Sequence, residues 1–233
     1  GVNLIRFLIT WEAIEHAGPG IYDEAYLDYV HDVVQKAGEY GIFVFIDPHQ
    51  DAWSRWTGGD GAPAWTLEKV GFDITRLHET GAAICHQLHG DPYPHMMWPT
   101  NRNKLGAATM YTLFAERVKD LPNVIGYDSM NEPGAGFIGL PDLDAWDTLL
   151  TQGLMPTPAQ AIMGAMYPQA VGQWELQGLT FVQTGTVTMN PGGLSVWKEG
   201  FEDIWKANGV WTDEGGTPRI LRPDHFDTVE GKP

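Results

Sequence analysis

The chain has 233 residues, enough for one domain with a real core, and 43% of them are hydrophobic against 19% charged. Thirty Asp and Glu against 14 Lys and Arg give a formal charge of −16. Such a balance repels phosphate backbones and anionic lipid headgroups, so it argues against nucleic-acid binding and favours a neutral substrate. The single cysteine, Cys85, cannot make an internal disulfide, and no run approaches the roughly 18 to 20 apolar residues of a membrane span. The ten tryptophans are a surplus, and flat indole faces suit sugar rings as well as cores.

Asn3 to Trp11 is a β-prone run ending in Trp11 and Glu12, with Arg6 set among apolar neighbours. Residue 1 opens inside this strand-like segment, so the chain is expected to begin within a domain. Gly18-Pro-Gly20 marks a turn. Between Tyr22 and Tyr40, the residues Ala25, Leu27, Val30, Val33, Val34 and Ala37 recur at helical spacing, with Asp23 at the start and Gly41 just past the end. Ile42 to Ile46 predicts a second, buried strand that discharges into Asp47-Pro-His-Gln-Asp51. Strand, helix, strand is a βαβ unit, and such crossovers build parallel sheets.

Trp53 to Thr109 reads as long and irregular. Its glycine-rich turn, Gly58 to Pro63, lacks the Gly-Lys-Ser/Thr of a phosphate loop. Met110 to Lys119 predicts a short helix and Val124 to Met130 a third strand, covered on both faces as in a parallel sheet. This strand delivers Asn131 and Glu132 to its tip and is stopped by Pro133. No second βαβ cycle is legible beyond it. Pro158 to Met166 reads as helix, and Leu179 to Thr188 as one or two strands. The sequence shows no internal repeat and no low-complexity segment.

Polar and acidic groups stand at three successive tips: Trp11/Glu12, Asp47/His49/Gln50/Asp51 and Asn131/Glu132. In a parallel sheet these tips share one edge, which is where barrel enzymes keep their chemistry. An Asn beside a Glu can hydrogen-bond a substrate hydroxyl while the carboxylate reaches the reacting atom. Asn-Glu-Pro alone also reads as a strand-ending turn, and a lone Arg or His near a strand end is usually a satisfied structural group. Agreement among three tips favours a cleft. There a buried Arg6 would orient a carboxylate or hold it ionised, and His49 would share hydrogen bonds with Asp47 and Asp51.

Other candidates carry less. His78, Cys85, His86, His89 and His95 match no zinc pattern of paired ligands, so no metal and no cofactor is expected. Ser54 and Ser129 lack a Gly-x-Ser-x-Gly elbow, and Cys85 reads as a small buried residue. Core packing accounts for some of Trp53, Trp56, Trp65 and Trp98, and sugar stacking would suit others. Asp142, Asp144 and Asp147 read as a solvated acidic face, and Asp213-Glu214-Gly-Gly216 as a turn.

Taken together, Arg6, Asp47-Pro-His-Gln-Asp51 and Asn131-Glu132-Pro133 resemble glycoside hydrolase family 5. More narrowly, the resemblance is to its endoglycoceramidase and fungal steryl-glucosidase/glucocerebrosidase branch. His-Gln-Asp-Ala-Trp-Ser-Arg (49 to 55), Gly-Gly-Asp-Gly-Ala-Pro-Ala-Trp (58 to 65), Glu-Thr-Gly-Ala-Ala (79 to 83), Trp-Pro-Thr-Asn (98 to 101) and Leu-Arg-Pro-Asp (221 to 224) carry it. The likeness touches most of the chain. It implies an α/β (β/α)8 TIM barrel, of which residues 1–136 would hold strands two to four and residues 137–233 a loop-rich inserted lobe. It also implies a retaining glycosidase acting on a β-glucoside or glycolipid, with Glu132 as general acid/base. Asn131, His49 and Arg6 would be its cleft companions, and Asp47 and Gln50 would contact the sugar.

The family's second carboxylate, the nucleophile, is a Glu at the seventh strand tip. None of Glu175, Glu199, Glu202, Glu214 and Glu230 ends a convincing buried strand. A barrel takes about 250 residues, so a fragment is expected. A catalytically inactive sugar- or glycolipid-binding remnant stands as the alternative.

Overall fold

The computed structural model describes residues 1–51, 53–77, 79–80, 112–128, 131, 139–145 and 153–228. The chain divides into two compact units, Gly1–Arg55 with Gly59–Thr66 and Arg102–Pro133, and Trp56–Gly58 with Leu67–Asn101 and Gly134–Pro233.

The first unit is a βαβ unit extended by a third strand. Strand β1 (Leu4–Ile9) leads into the short helix α1 (Trp11–Glu15), whose N-cap Thr10 accepts from the Ala13 amide. Helix α2 (Glu24–Glu39) starts where the Asp23 carboxylate accepts from the Tyr26 amide at 2.8 Å. It stops at Gly41, whose φ of +70° suits glycine. There the Ile42 amide reaches the Ala37 carbonyl and the Gly41 amide the Gly38 carbonyl, the two bonds of a Schellman cap. Strand β2 (Phe43–Pro48) follows, then a helix over residues 112–118, α4, and β3 (Val124–Tyr127). A further short helix, α3 (Ala64–Lys69), lies in the stretch whose sequence reads as irregular.

The three strands pair in parallel in the order β1-β2-β3, with Arg6 opposite Phe45 and Phe45 opposite Gly126. Gly126 has a packing reason: a Cβ there would meet the Phe45 ring at 2.8 Å. Leu27, Val30 and Val34 of α2 pack with Phe114 and Val118 of α4 against Ile9, Val44 and Ile46. This is the spacing the sequence shows, except that Ala25 is exposed.

The expectation of two covered faces is corrected. The pleat sends alternate residues to opposite sides, and the described helices pack on one of them. Leu4, Leu8 and Phe43 on the other side are about half exposed; on β3 the bulged Ile125 and Tyr127, which lies opposite Ile46, are exposed too.

The second unit holds an antiparallel sheet, β4 (Gly153–Met155), β5 (Gln169–Gln177) and β6 (Thr180–Met189), in the order β4-β5-β6. Helix α5 (Pro158–Gly164) opens with a reciprocal Thr157/Gln160 capping box and Pro158 in its first turn. Further along, the buried Asp203 caps α6 (Ile204–Ala207) through the Trp205 and Lys206 amides, and it also accepts from the Trp211 and Trp197 indoles at 3.1 and 3.0 Å. Two short strands, β7 (Trp211–Thr212) and β8 (Arg219–Ile220), close the unit. Asp213 to Gly216 is the turn the sequence predicts, with the Gly216 amide donating to the Asp213 carbonyl. Asp142 and Asp144 are exposed, and Asp147 lies outside the described residues.

Candidate active site

The parallel sheet ends in one polar network. Arg6 projects from β1, and its Nη2 lies 3.0 Å from Asp47 Oδ2, 2.8 Å from Asn131 Oδ1 and 3.4 Å from Asp128 Oδ2. One nitrogen thus joins β1 to the end of β2 and to the residues that follow β3. The Arg6 side chain is 46% exposed rather than buried as expected, because the pleat places Arg6 on the same side as Leu4 and Leu8.

Asp47 is fully buried. Its Oδ2 also lies 2.8 Å from His49 Nδ1, and its Oδ1 is buried with no hydrogen-bond partner among the described residues. Leaving such an oxygen unpaired costs about 1–3 kcal/mol, a cost tolerated where a ligand completes the shell.

His49 is held on both sides, with Nε2 3.2 Å from Asp51 Oδ2. Two carboxylates facing two ring nitrogens call for two N–H donors, that is, an imidazolium. Burial alone would lower the His49 pKa, but the Asp47 hydrogen bond and the charges of Asp60, Asp47 and Asp51 outweigh it and hold the value above its ordinary range. Asp60 is raised chiefly by burial, with Asp51 and Asp47 adding repulsion and His49 opposing them. Asp51 and Asp60 are clamped backbone to backbone by reciprocal amide bonds of 3.1 and 2.8 Å.

Asn131, 3% exposed, is satisfied at every polar atom. Its Nδ2 donates to Asp51 Oδ1 at 3.0 Å and to the Gln50 carbonyl at 3.2 Å, and its carbonyl accepts from the Gln50 side chain. Neither rotation nor flipping is left to this amide. The residue directly before Glu132 is therefore locked to the β2 loop.

The structure brings together Arg6, Asp47, His49, Gln50 and Asn131, five of the six residues singled out in the sequence. Glu132 lies outside the described residues, as do His78, Cys85, His86, His89, His95, Trp98 and Ser129. At the first tip, Glu12 pairs with Arg55 Nε at 2.9 Å, and the Trp11 indole donates to Glu15. Trp65 stacks edge-on to Trp11 and donates to the Glu15 carbonyl, while Trp53 donates to Thr66. These three indoles are thereby engaged in packing. Ser54 is buried.

Asp128 and Asp60 also touch the network, and sequence reasoning missed both. The signal for Asp128 is its place two residues beyond Gly126, on the pleat side that faces Arg6. Asp60 sits in a glycine-rich turn and carries no local signal.

His49, Asp51 and Asp60 bring one candidate ligand atom each within 4.8 Å of one another. A metal there would have to displace a ring proton of His49, held by Asp47 at Nδ1 and by Asp51 at Nε2. The geometry suits a protonated histidine between acids better than a ligand set. Chemically, the network offers a cationic donor in Arg6 beside carboxylate acceptors oriented by His49, a pattern suited to a neutral polyhydroxy ring.

The family profile described as Cellulase (glycosyl hydrolase family 5) matches residues 1–152. The chain belongs to glycosyl hydrolase family 5. The parallel sheet and its packed helices are accordingly part of the (β/α)8 barrel of this family. A glucosylceramidase of Rhizopus delemar is 39% identical across 97% of the chain and 38% of its own length. An ergosteryl-beta-glucosidase of Saccharomyces cerevisiae is 33% identical across 97% of the chain and 40% of its length. The crystal structure of Cryptococcus neoformans sterylglucosidase 1 with tris superposes with a TM-score of 0.82 at 32% identity, covering 97% of the chain and 41% of that protein. The family 5 chain thus spans about two fifths of the length of these relatives.

Among the described glutamates after residue 132, Glu175, Glu199, Glu202 and Glu214 are exposed, and none lies on a strand of the parallel sheet.

Proposed function

We propose that the chain carries the acid/base half of a retaining glycosidase that cleaves the β-glucosidic bond of a glycolipid, with Glu132 as the general acid/base. The observation that carries this is the immobilised Asn131, tied to Arg6, Gln50 and Asp51, which fixes the backbone from which Glu132 departs. In this reading Glu132 protonates the leaving oxygen while a second carboxylate, roughly 5 to 5.5 Å away and not found among the described residues, attacks the anomeric carbon. Glu132 then deprotonates the water that releases the sugar. Arg6 donates to sugar hydroxyls, and Asp47 and Gln50 accept from them. His49, whose two ring N–H groups are engaged by Asp47 and Asp51, orients those carboxylates. Residues 137–233 would form a lobe inserted after the acid/base strand. The names of the relatives, glucosylceramidase and ergosteryl-beta-glucosidase, support a glucose attached to a lipid aglycone.

Glu132→Gln in the complete enzyme should lower turnover of a nitrophenyl β-glucoside by about 10²- to 10⁴-fold. The loss should shrink when the leaving group is a dinitrophenolate that needs no proton. Unchanged turnover on both substrates would refute the assignment. The exposed positions of Glu175, Glu199, Glu202 and Glu214 favour a second reading, a binding remnant without a nucleophile. Uptake of glucosylceramide by the chain with no release of glucose would distinguish it.

A further inference from the structure

The β5–β6 hairpin breaks the pattern of the rest of the chain. Residues 169–189 contain one charged side chain, Glu175, in a protein that is 19% charged and carries −16 overall. Its turn is open to solvent. Leu179, beside the turn glycine Gly178 at φ +69°, is 101% exposed, and an added Cβ at Gly178 or Gly185 would meet nothing within 4 Å. Behind it, Leu176 pairs with Phe181 on one side of the ribbon, and Val182 pairs with Glu175 on the other. Leu176 and Val182 are exposed at 51% and 39%. An isolated two-stranded ribbon is marginal in water, and an apolar, nearly uncharged tip makes it more so unless something covers it.

We propose that this hairpin tip is a membrane-docking element that dips into the surface of an uncharged, zwitterionic bilayer. Apolar side chains on both sides of the ribbon and at its turn suit insertion end-on; a flat partner protein would cover one side. A second copy pairing along β6 would bury backbone and leave Leu179 in water. The dimensions agree with an interfacial depth of about 5–10 Å. At about 3.3 Å per residue, the Leu176–Phe181 pair lies within that depth behind the turn. The half-buried Trp174 on the same face, opposite Gln183, follows at headgroup level, where indoles concentrate. The charge of −16 selects the lipid, because anionic headgroups would repel the chain. No described helix is long and apolar enough to cross a membrane, so this contact is superficial. The inference deepens the glycolipid reading, since a glycolipid is presented in a bilayer.

Flotation of the 233-residue chain with phosphatidylcholine vesicles that contain no glycolipid tests it independently of catalysis. The chain should float, and less well when phosphatidylserine is added. Leu179→Asp and Leu176→Asp should each weaken partitioning at least about tenfold, with unchanged circular dichroism. Ile21→Asp, at another exposed apolar residue, should float as the parent does. The inference is overturned if the parent stays unbound, if Leu179→Asp floats equally well, or if Ile21→Asp falls as far. It is also overturned if Leu179→Asp merely dissociates a dimer. Soluble aryl glucoside turnover by the complete enzyme should be the same with and without Leu179→Asp, so failure of the docking idea and failure of the glycosidase reading give different results.

Discussion

Gly38→Ala should change sign with its background. A methyl group at Gly38, near the end of α2, would sit 2.8 Å from Asn123 Cγ and 2.9 Å from its Oδ1. That amide is not free to retreat: Asn123 is buried, and its Nδ2 donates to the Val34 carbonyl at 2.9 Å and the Ile42 carbonyl at 3.2 Å. Giving up both bonds costs about 0.5–1.5 kcal/mol each. Replacing a helical glycine by alanine returns about 0.5–1 kcal/mol. The net in the parent chain is a loss of up to about 2.5 kcal/mol. Asn123→Ala by itself removes the two bonds and leaves a small cavity, for about 2–3 kcal/mol. In that background the obstruction is gone, so Gly38→Ala should stabilise by about 0.5–1 kcal/mol. Urea denaturation of the four proteins, followed by far-ultraviolet circular dichroism, gives the cycle, and the coupling should be about 1–3 kcal/mol. An equal effect of Gly38→Ala in both backgrounds would refute the argument that Asn123 is what requires glycine there.

Two further outcomes are expected. Because the folded-state pKa of His49 lies above its ordinary value, its stabilising contribution is complete below about pH 6.5 and is lost as pH rises through the folded value. The stability advantage of the parent over His49→Gln should therefore be larger at about pH 6 than at about pH 9. An NMR titration midpoint of His49 below about 6.5 would contradict this. In the second unit, Asp203→Ala removes a helix cap and strands two buried indole N–H groups. It should destabilise that unit by about 3–5 kcal/mol in tryptophan-monitored denaturation, with Asp203→Asn costing about half as much. A loss below about 1 kcal/mol would mean that the hub is dispensable.

Helix α2 was legible because Leu27, Val30 and Val34 keep one spacing between an Asp23 cap and a Gly41 stop, all of them local signals. The βαβ order followed, and with it the common edge for Asp47, His49, Gln50 and Asn131. Strand β5 was not legible: Val171 is its one buried side chain, and polar residues and glycine occupy most other positions. The exposure of Arg6 depends on which pleat side the helices cover, a tertiary fact that no window of sequence holds. Asp60 reaches His49 through a backbone clamp to Asp51, again a contact without a local pattern.

The single Arg6 nitrogen that meets Asp47, Asp128 and Asn131 has a consequence for how the chain folds. A one-residue slip in the pairing of β1 with β2 would turn Arg6 to the helix-covered side. Asp47 would then be buried without its counter-charge, and arginine would enter an apolar core, each a penalty of several kcal/mol. Mispaired sheets are thus unstable at the very place where the polar network assembles. The site residues act as a proofreading device for strand registry, so a correctly aligned sheet and a complete network arise in the same step.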